Sequence, residues 1–200
     1  MKTETFDDRW SWLEARRGKI TGSRLGDIYS ARGAKKIAFY EVIAERLGIT
    51  ADSEPAMERG TRLEGEALDA FEKETGKTLD RSKVLWMRDD NESVAVSPDA
   101  FIGTKEAVEA KCLASARHIE ALITGKIPDD YKYQRLQYFI VNDELEELHF
   151  AFYDPRLLAR PFFTITTKRS EVQDEITAFL AYERDALTEI DEIVNRLSNF

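Results

Sequence analysis

The chain has a single cysteine, only two histidines and no long apolar run. Cys112 alone rules out an internal disulfide framework and any zinc or iron–sulfur centre built from several thiolates. His118 and His149 are too few for a histidine-rich metal site. A metal bound here would be held by carboxylates and carbonyls, which suit hard ions such as Mg²⁺ or Mn²⁺. No stretch approaches the roughly 18 apolar residues of a membrane span. The start, MKTETFDDRWSW, lacks the basic-then-apolar pattern of a signal peptide, so a cytoplasmic location is expected. Internal repeats, low-complexity segments and Pro/Ser-rich linkers are also missing. The 200 residues therefore read as one domain, 1–200.

What is present is charge, unevenly placed. The net charge of −9 argues against nucleic acid as a partner. Residues 14–36, EARRGKITGSRLGDIYSARGAKK, nevertheless carry seven Lys/Arg against Glu14 and Asp27. A local basic patch binds phosphate whatever the total charge, because screening limits electrostatic reach to about 8–10 Å. On composition alone the same segment also reads as a solvated basic face.

Periodicity divides the chain. Residues 7–17 and 22–30 read as short helices, with Thr21 and Ser23 as caps between them. Ile37–Leu47 has helical spacing and stops at Gly48, and Arg59–Thr75 closes at Gly76. The period then shortens: Lys83–Arg88, Ser93–Ser97 and Ala107–Cys112 read as strands. Helices near Ser115–Thr124 and Tyr131–Val141 follow, then strands Leu148–Tyr153 and Phe162–Thr167. A long amphipathic helix closes the chain, with Val172, Ile176, Phe179, Leu180, Leu187, Ile190, Val194 and Leu197 along one face. The expected architecture is mixed α/β, a central sheet of about five strands flanked by helices.

Chemistry concentrates in SPDAFIGTKEAVEAKC, Ser97–Cys112. Strand side chains alternate faces, so Glu109 and Lys111 point the same way about 7 Å apart. Pro98 fixes its own φ and forces Ser97 extended, aiming the Asp99 carboxylate at a definite point. Glu64 shares a helical face with Ala67, Leu68 and Phe71, where a carboxylate is costly unless paired, protonated or metal-bound. Taken singly, Asp99 can open a turn and Glu109–Lys111 can be an exposed charge pair. Together they suit a metal site: two carboxylates and the Ala110 carbonyl can hold Mg²⁺, which activates water and neutralises a scissile phosphate. Lys111 can orient that water or stabilise developing negative charge.

Six pieces, WLEARRGKITGS, RGTRLEGEALDAFEKETG, SPDAFIG, VEAKC, YKYQRLQY and FAFYDPR, stand in this order. In them the chain resembles the phage lambda exonuclease and YqaJ-type viral recombinase nucleases, from about Trp10 to Arg156. The resemblance implies a restriction-endonuclease-like core and a Mg²⁺-dependent 5′→3′ exonuclease, with Mn²⁺ as a substitute ion. Such an enzyme degrades one strand of duplex DNA from its ends and leaves a 3′ overhang. It further implies Asp99, Glu109 and the Ala110 carbonyl as metal ligands, Lys111 as catalytic lysine, Glu64 as the helix acid and Gln134 at the site's edge. Arg17 and Ser23 match the residues that grip the 5′-phosphate. Arg32 falls in a DNA-guiding loop, and Met57 falls where an apolar side chain wedges between bases, though a core methionine fits as well. Ala100 replaces the family's usual glycine, and Leu136 stands where a second glutamine often follows the first. The implied partners are double-stranded DNA ends and a single-strand annealing recombinase, and the implied assembly is a homotrimeric ring with a positive pore. The implied setting is a bacterial cytoplasm, with a phage or prophage gene. An endonuclease or structure-specific resolvase on the same core, and a non-catalytic DNA-end-binding protein, remain the alternatives.

Overall fold

The computed structural model describes residues 1–28, 37–46, 57–113, 115–155 and 157–198. Arg32 and the Met57 side chain lie outside these described parts.

Among the described residues, seven strands form two sheets. In the first, β1 (Lys2–Phe6), β2 (Lys83–Met87) and β3 (Ala95–Val96) lie antiparallel in that order. In the second, β4 (Ala100–Ile102), β5 (Glu106–Lys111), β6 (Glu147–Tyr153) and β7 (Phe162–Lys168) are neighbours in sequence order, and only the β5–β6 pair is parallel. The mixed α/β class is as expected, and all five expected strands are present. They are divided over two sheets because Ser97-Pro98-Asp99 separates β3 from β4, where Pro98 offers no ladder N–H.

Helices occupy the expected places. Helix α1 (Arg9–Ala15) starts at Asp8, whose carboxylate accepts from the Ser11 amide at 2.9 Å. It is followed by α2 (Gly22–Ile28), α3 (Ile37–Arg46) and α4 (Met57–Thr75). Helices α5 (Ser115–Thr124) and α6 (Lys132–Val141) form the crossover between β5 and β6, and α7 (Gln173–Ser198) closes the chain. Among the described residues no helix is long and apolar enough to cross a membrane.

Strand alternation sorts the second sheet's side chains onto two faces. Val108, Ala151 and Phe162 pack with Leu68 and Phe71 of α4. Ala107, Leu148, Phe150, Phe152 and Phe163 join the larger core formed with α2, α3, α6 and α7. Glu109 has the parity of Ala107, so it projects toward α6. Helix α2 lies close against α6 because Gly26 has no side chain: a Cβ there would meet a Tyr133 ring carbon at 2.1 Å.

A buried polar chain ties three elements together. Glu183 of α7, 2 % exposed, accepts from Gln137 Nε2 of α6 at 2.7 Å, and the same nitrogen donates to the Ile20 carbonyl at 3.2 Å. Burial pushes the Glu183 carboxyl up to about 7, with the Gln137 donor and the Arg88 charge opposing it. An unfolded glutamate titrates near 4.5, so the stability held by protonated Glu183 is complete below that pH and lost as pH rises through about 7. Glu183→Gln keeps an acceptor for Gln137 and removes the charge. Urea denaturation should show it about 1–3 kcal/mol more stable than the parent at pH 8, with the gain gone below about pH 4.5. An identical effect at both pH values would exclude a buried, titrating Glu183.

Candidate active site

The C-terminal end of β5 delivers Glu109 and Lys111 into a recess walled by α6, α4 and the Ser97–Asp99 segment. Glu109 is 5 % exposed and has a partner on both oxygens. Its Oε1 accepts from Lys111 Nζ at 2.6 Å and from Gln134 Nε2 at 2.5 Å, and its Oε2 accepts from the Tyr138 hydroxyl. Gln134 and Tyr138 stand one turn apart on α6, so one helix face grips the carboxylate from two sides. Asp99, at the mouth of β4, accepts from the Ala110 amide through Oδ2 at 2.7 Å. That bond locks the Asp99 carboxylate to the strand that carries Glu109 and the Ala110 carbonyl.

Electrostatics show how crowded the recess is. Burial raises Asp99 well above the ordinary aspartate range, and the Glu109 and Glu64 charges push it further up. Glu64, reaching in from α4, is raised by burial and then by Glu109, with Arg9, Lys111 and Lys83 opposing. Burial works against the Lys111 ammonium, but Glu109 and Asp99 outweigh it and raise its pKa. Lys111 also lies over the Tyr131 ring, 4.7 Å from its centroid. Burial raises the Tyr138 phenol well above 10, with Glu109 and Asp99 adding to the shift, so it stays a proton donor.

The structure thus places Asp99, Glu109, Ala110, Lys111, Glu64 and Gln134 near one another. The two adjacent arginines of the basic segment are placed differently. Arg17 turns to Glu14, Nη1 to Oε1 at 2.7 Å, and Ser23 is exposed with its hydroxyl 3.2 Å from that of Thr21. Arg16 is the guanidinium that senses Glu109 and Asp99; burial lowers its pKa while those two carboxylates oppose the change. It lies 4.5 Å from the Trp12 ring centroid, and Arg9 lies 5.8 Å from the same centroid. The turn after Arg16 is clamped. Gly18, at φ +69°, donates its amide to Glu45 Oε2 at 2.7 Å, and its carbonyl accepts from Arg46 Nε at 2.9 Å. Sequence reasoning missed Arg16 and Tyr138. The available signals were helical spacing, Arg9–Trp12–Arg16 on α1 and Gln134–Tyr138 on α6.

The Glu109 charge acts on both Asp99 and Glu64, and the Ala110 carbonyl follows Glu109 on the same strand. This all-oxygen donor set fits a hard divalent ion, and the upward shifts of Asp99 and Glu64 are the strain that such an ion relieves. Among the described residues, Glu106, Glu147 and His149 form a group whose potential ligand atoms lie within 4.8 Å of one another. Glu106 opens β5, at the end opposite Lys111 and on the other face. Its members have partners of their own: His149 contacts Thr166 Oγ1 at 2.8 Å and Glu106 Oε2 at 3.0 Å, while Lys77 pairs with Glu106 and Lys168 with Glu147.

The model of the YqaJ-like viral recombinase domain matches residues 11–144. The chain is similar to the alkaline exonuclease LHK-Exo from Laribacter hongkongensis, at 28% identity and TM-score 0.76, covering 95% of this chain and 98% of that one. A crystal structure of LHK-Exo in complex with dAMP matches at 29% identity with the same TM-score and coverage. A phage-related exonuclease from Haemophilus somnus 129PT shares the fold at 16% identity and TM-score 0.60, with 90% of this chain and 96% of that one covered. No curated protein matches the sequence.

Without metal, the crowding predicts an inverted pH dependence at Asp99. Its folded pKa lies above the unfolded value near 3.8, so the stability of the protonated form is complete below that pH and lost as pH rises through the raised value. Asp99→Asn keeps an acceptor for the Ala110 amide and removes the repelling charge. In EDTA at pH 8 its Tm should be about 3 °C or more above the parent, and the difference should shrink on acidification. A lower Tm at pH 8 would contradict the repulsion.

Proposed function

The chain belongs to the YqaJ-like viral recombinase domain family, with its restriction-endonuclease-like core, and on that premise we propose a Mg²⁺-dependent exonuclease. It degrades one strand of duplex DNA in the 5′→3′ direction and leaves a 3′ single-stranded overhang. The observation that carries this reading is the convergence of Asp99, Glu109 and Lys111, held by the Ala110 amide, Gln134 and Tyr138, at the end of β5. The likeness to LHK-Exo, an alkaline exonuclease seen with the mononucleotide dAMP, supports it.

Asp99, Glu109 and the Ala110 carbonyl hold the ion in this reading, with Glu64 as the fourth donor. Bound there, Mg²⁺ (or Mn²⁺) supplies Lewis-acid polarisation of the scissile phosphate and an activated water. Lys111 places a positive charge beside the reacting phosphate, where it stabilises the charge that develops on oxygen. Gln134 holds Glu109 in register. Arg16, rather than Arg17, grips the 5′-terminal phosphate, its guanidinium stacked on Trp12 and its backbone fixed through the clamped Gly18 turn. Ser23, Arg32 and Met57 remain proposed DNA contacts carried from the family alone. The family also suggests a homotrimeric ring around DNA and a single-strand annealing recombinase as partner in a bacterial cytoplasm.

A labelled linear duplex with Mg²⁺ tests the reading. Wild-type protein should release mononucleotides from 5′-phosphorylated ends, whereas Asp99→Ala should be inactive. Lys111→Ala should lose activity by orders of magnitude while retaining metal binding. Arg16→Ala should slow 5′-phosphorylated duplex roughly 10-fold and 5′-hydroxyl duplex far less, and Arg17→Ala should be milder. Rapid nicking of closed circular DNA would favour an endonuclease, and activity in Asp99→Ala would overturn the metal assignment.

Light scattering tests the ring. The expected mass is about three times the 23.0 kDa chain. A monomer that still digests DNA processively would refute it.

A further inference from the structure

Tyr138 is one of the largest fully buried side chains, yet it carries a hydroxyl into the recess. Its ring is packed edge-on against Trp86, with centroids 6.5 Å apart and planes at 85°. Its hydroxyl contacts Glu109 Oε2 and lies 3.3 Å from the Ser97 carbonyl. Ser97 sits two residues before Asp99, across the break between the two sheets. One rigid phenol, anchored in α6 and the first sheet, therefore touches both backbone segments that deliver the paired acids. Glu109's other oxygen is shared by Lys111 and Gln134, so Tyr138 is the hydrogen-bond partner that holds Oε2.

We propose that Tyr138 is a positioning residue that fixes the Glu109 carboxylate and its spacing from Asp99, so that the pair is shaped for a divalent cation before one binds. The inference rests on the metal reading of Asp99 and Glu109. It assigns to an aromatic side chain of the core a role in ion affinity and turnover. A hydrogen-bonded support of a ligating carboxylate characteristically changes metal affinity by 10–100-fold when removed. Without the hydroxyl, Glu109 keeps its contacts to Lys111 and Gln134 and can swing about them, so the acids lose registry while DNA contacts on α1 and α2 are untouched.

The test is Tyr138→Phe, which preserves the ring and its contact with Trp86. Calorimetric titration of the metal-free protein with Mn²⁺ should show wild-type binding that Asp99→Asn abolishes, and binding about 10-fold weaker in Tyr138→Phe. With Mg²⁺ held saturating for wild type, kcat should fall while KM for duplex DNA stays unchanged. Binding of Mn²⁺ to Tyr138→Phe with wild-type affinity overturns the proposal. Absence of Mn²⁺ binding by the wild type instead overturns the metal reading beneath it. A measurement on the unaltered protein guards against a folding defect in the variant. Mn²⁺ draws charge from Glu109, weakens the phenol's hydrogen bond and should produce a tyrosine difference spectrum in the near ultraviolet. No such spectrum on a protein that binds Mn²⁺ also contradicts the proposal.

Discussion

Repulsion among Asp99, Glu109 and Glu64 is the constraint around which the molecule is organised. Burial pushes Asp99 and Glu64 toward protonation, and the Glu109 charge pushes both further. Such a cluster is retained only if something offsets its cost. Lys111 offsets part, by direct contact with Glu109. Arg9, Lys83 and Arg16 contribute from the rim, two of them from α1 or its end. A hard cation among the oxygens would offset the rest, which is the cost argument behind the proposed metal site.

The fold supplies the rigidity that this crowding requires. Glu109 comes from β5, buried between α4 on one face and the α6–α7 layer on the other. Asp99 comes from the Pro98 break between the sheets and is bonded back to β5. Helix α6 faces the site with Gln134 and Tyr138, while its Gln137 turns away to Glu183 and the Ile20 carbonyl. One helix therefore links the acids, the long terminal helix and the Arg16–Ile20 segment. Displacing α6 would disturb the acids and the Arg16–Ile20 segment together.

Much of this was legible in the sequence. Helical spacing placed the described helices within a few residues, and the D–x₉–E–x–K pattern singled out Asp99, Glu109 and Lys111, with strand alternation setting Glu109 and Lys111 on one face. What escaped has physical reasons. Strand β1, KTETF, is polar on both faces and almost wholly exposed, so no apolar alternation marks it. Strand β4 has three residues, too few to show a period. Adjacent arginines at a helix end cannot be told apart by composition: Arg16 is the C-cap of α1, still in helical conformation and on the Arg9–Trp12 face, whereas Arg17 lies one step further round. Tyr138 is a fully buried core residue, and sequence pattern carries no sign of where its hydroxyl lies.

The central claim is that the ion belongs between Asp99 and Glu109. Anomalous diffraction from crystals soaked in Mn²⁺ locates it without any assay of activity. The account predicts a peak within coordinating distance of the Asp99 and Glu109 carboxylates and the Ala110 carbonyl. A peak at Glu106, Glu147 and His149 with none beside Asp99 would contradict it.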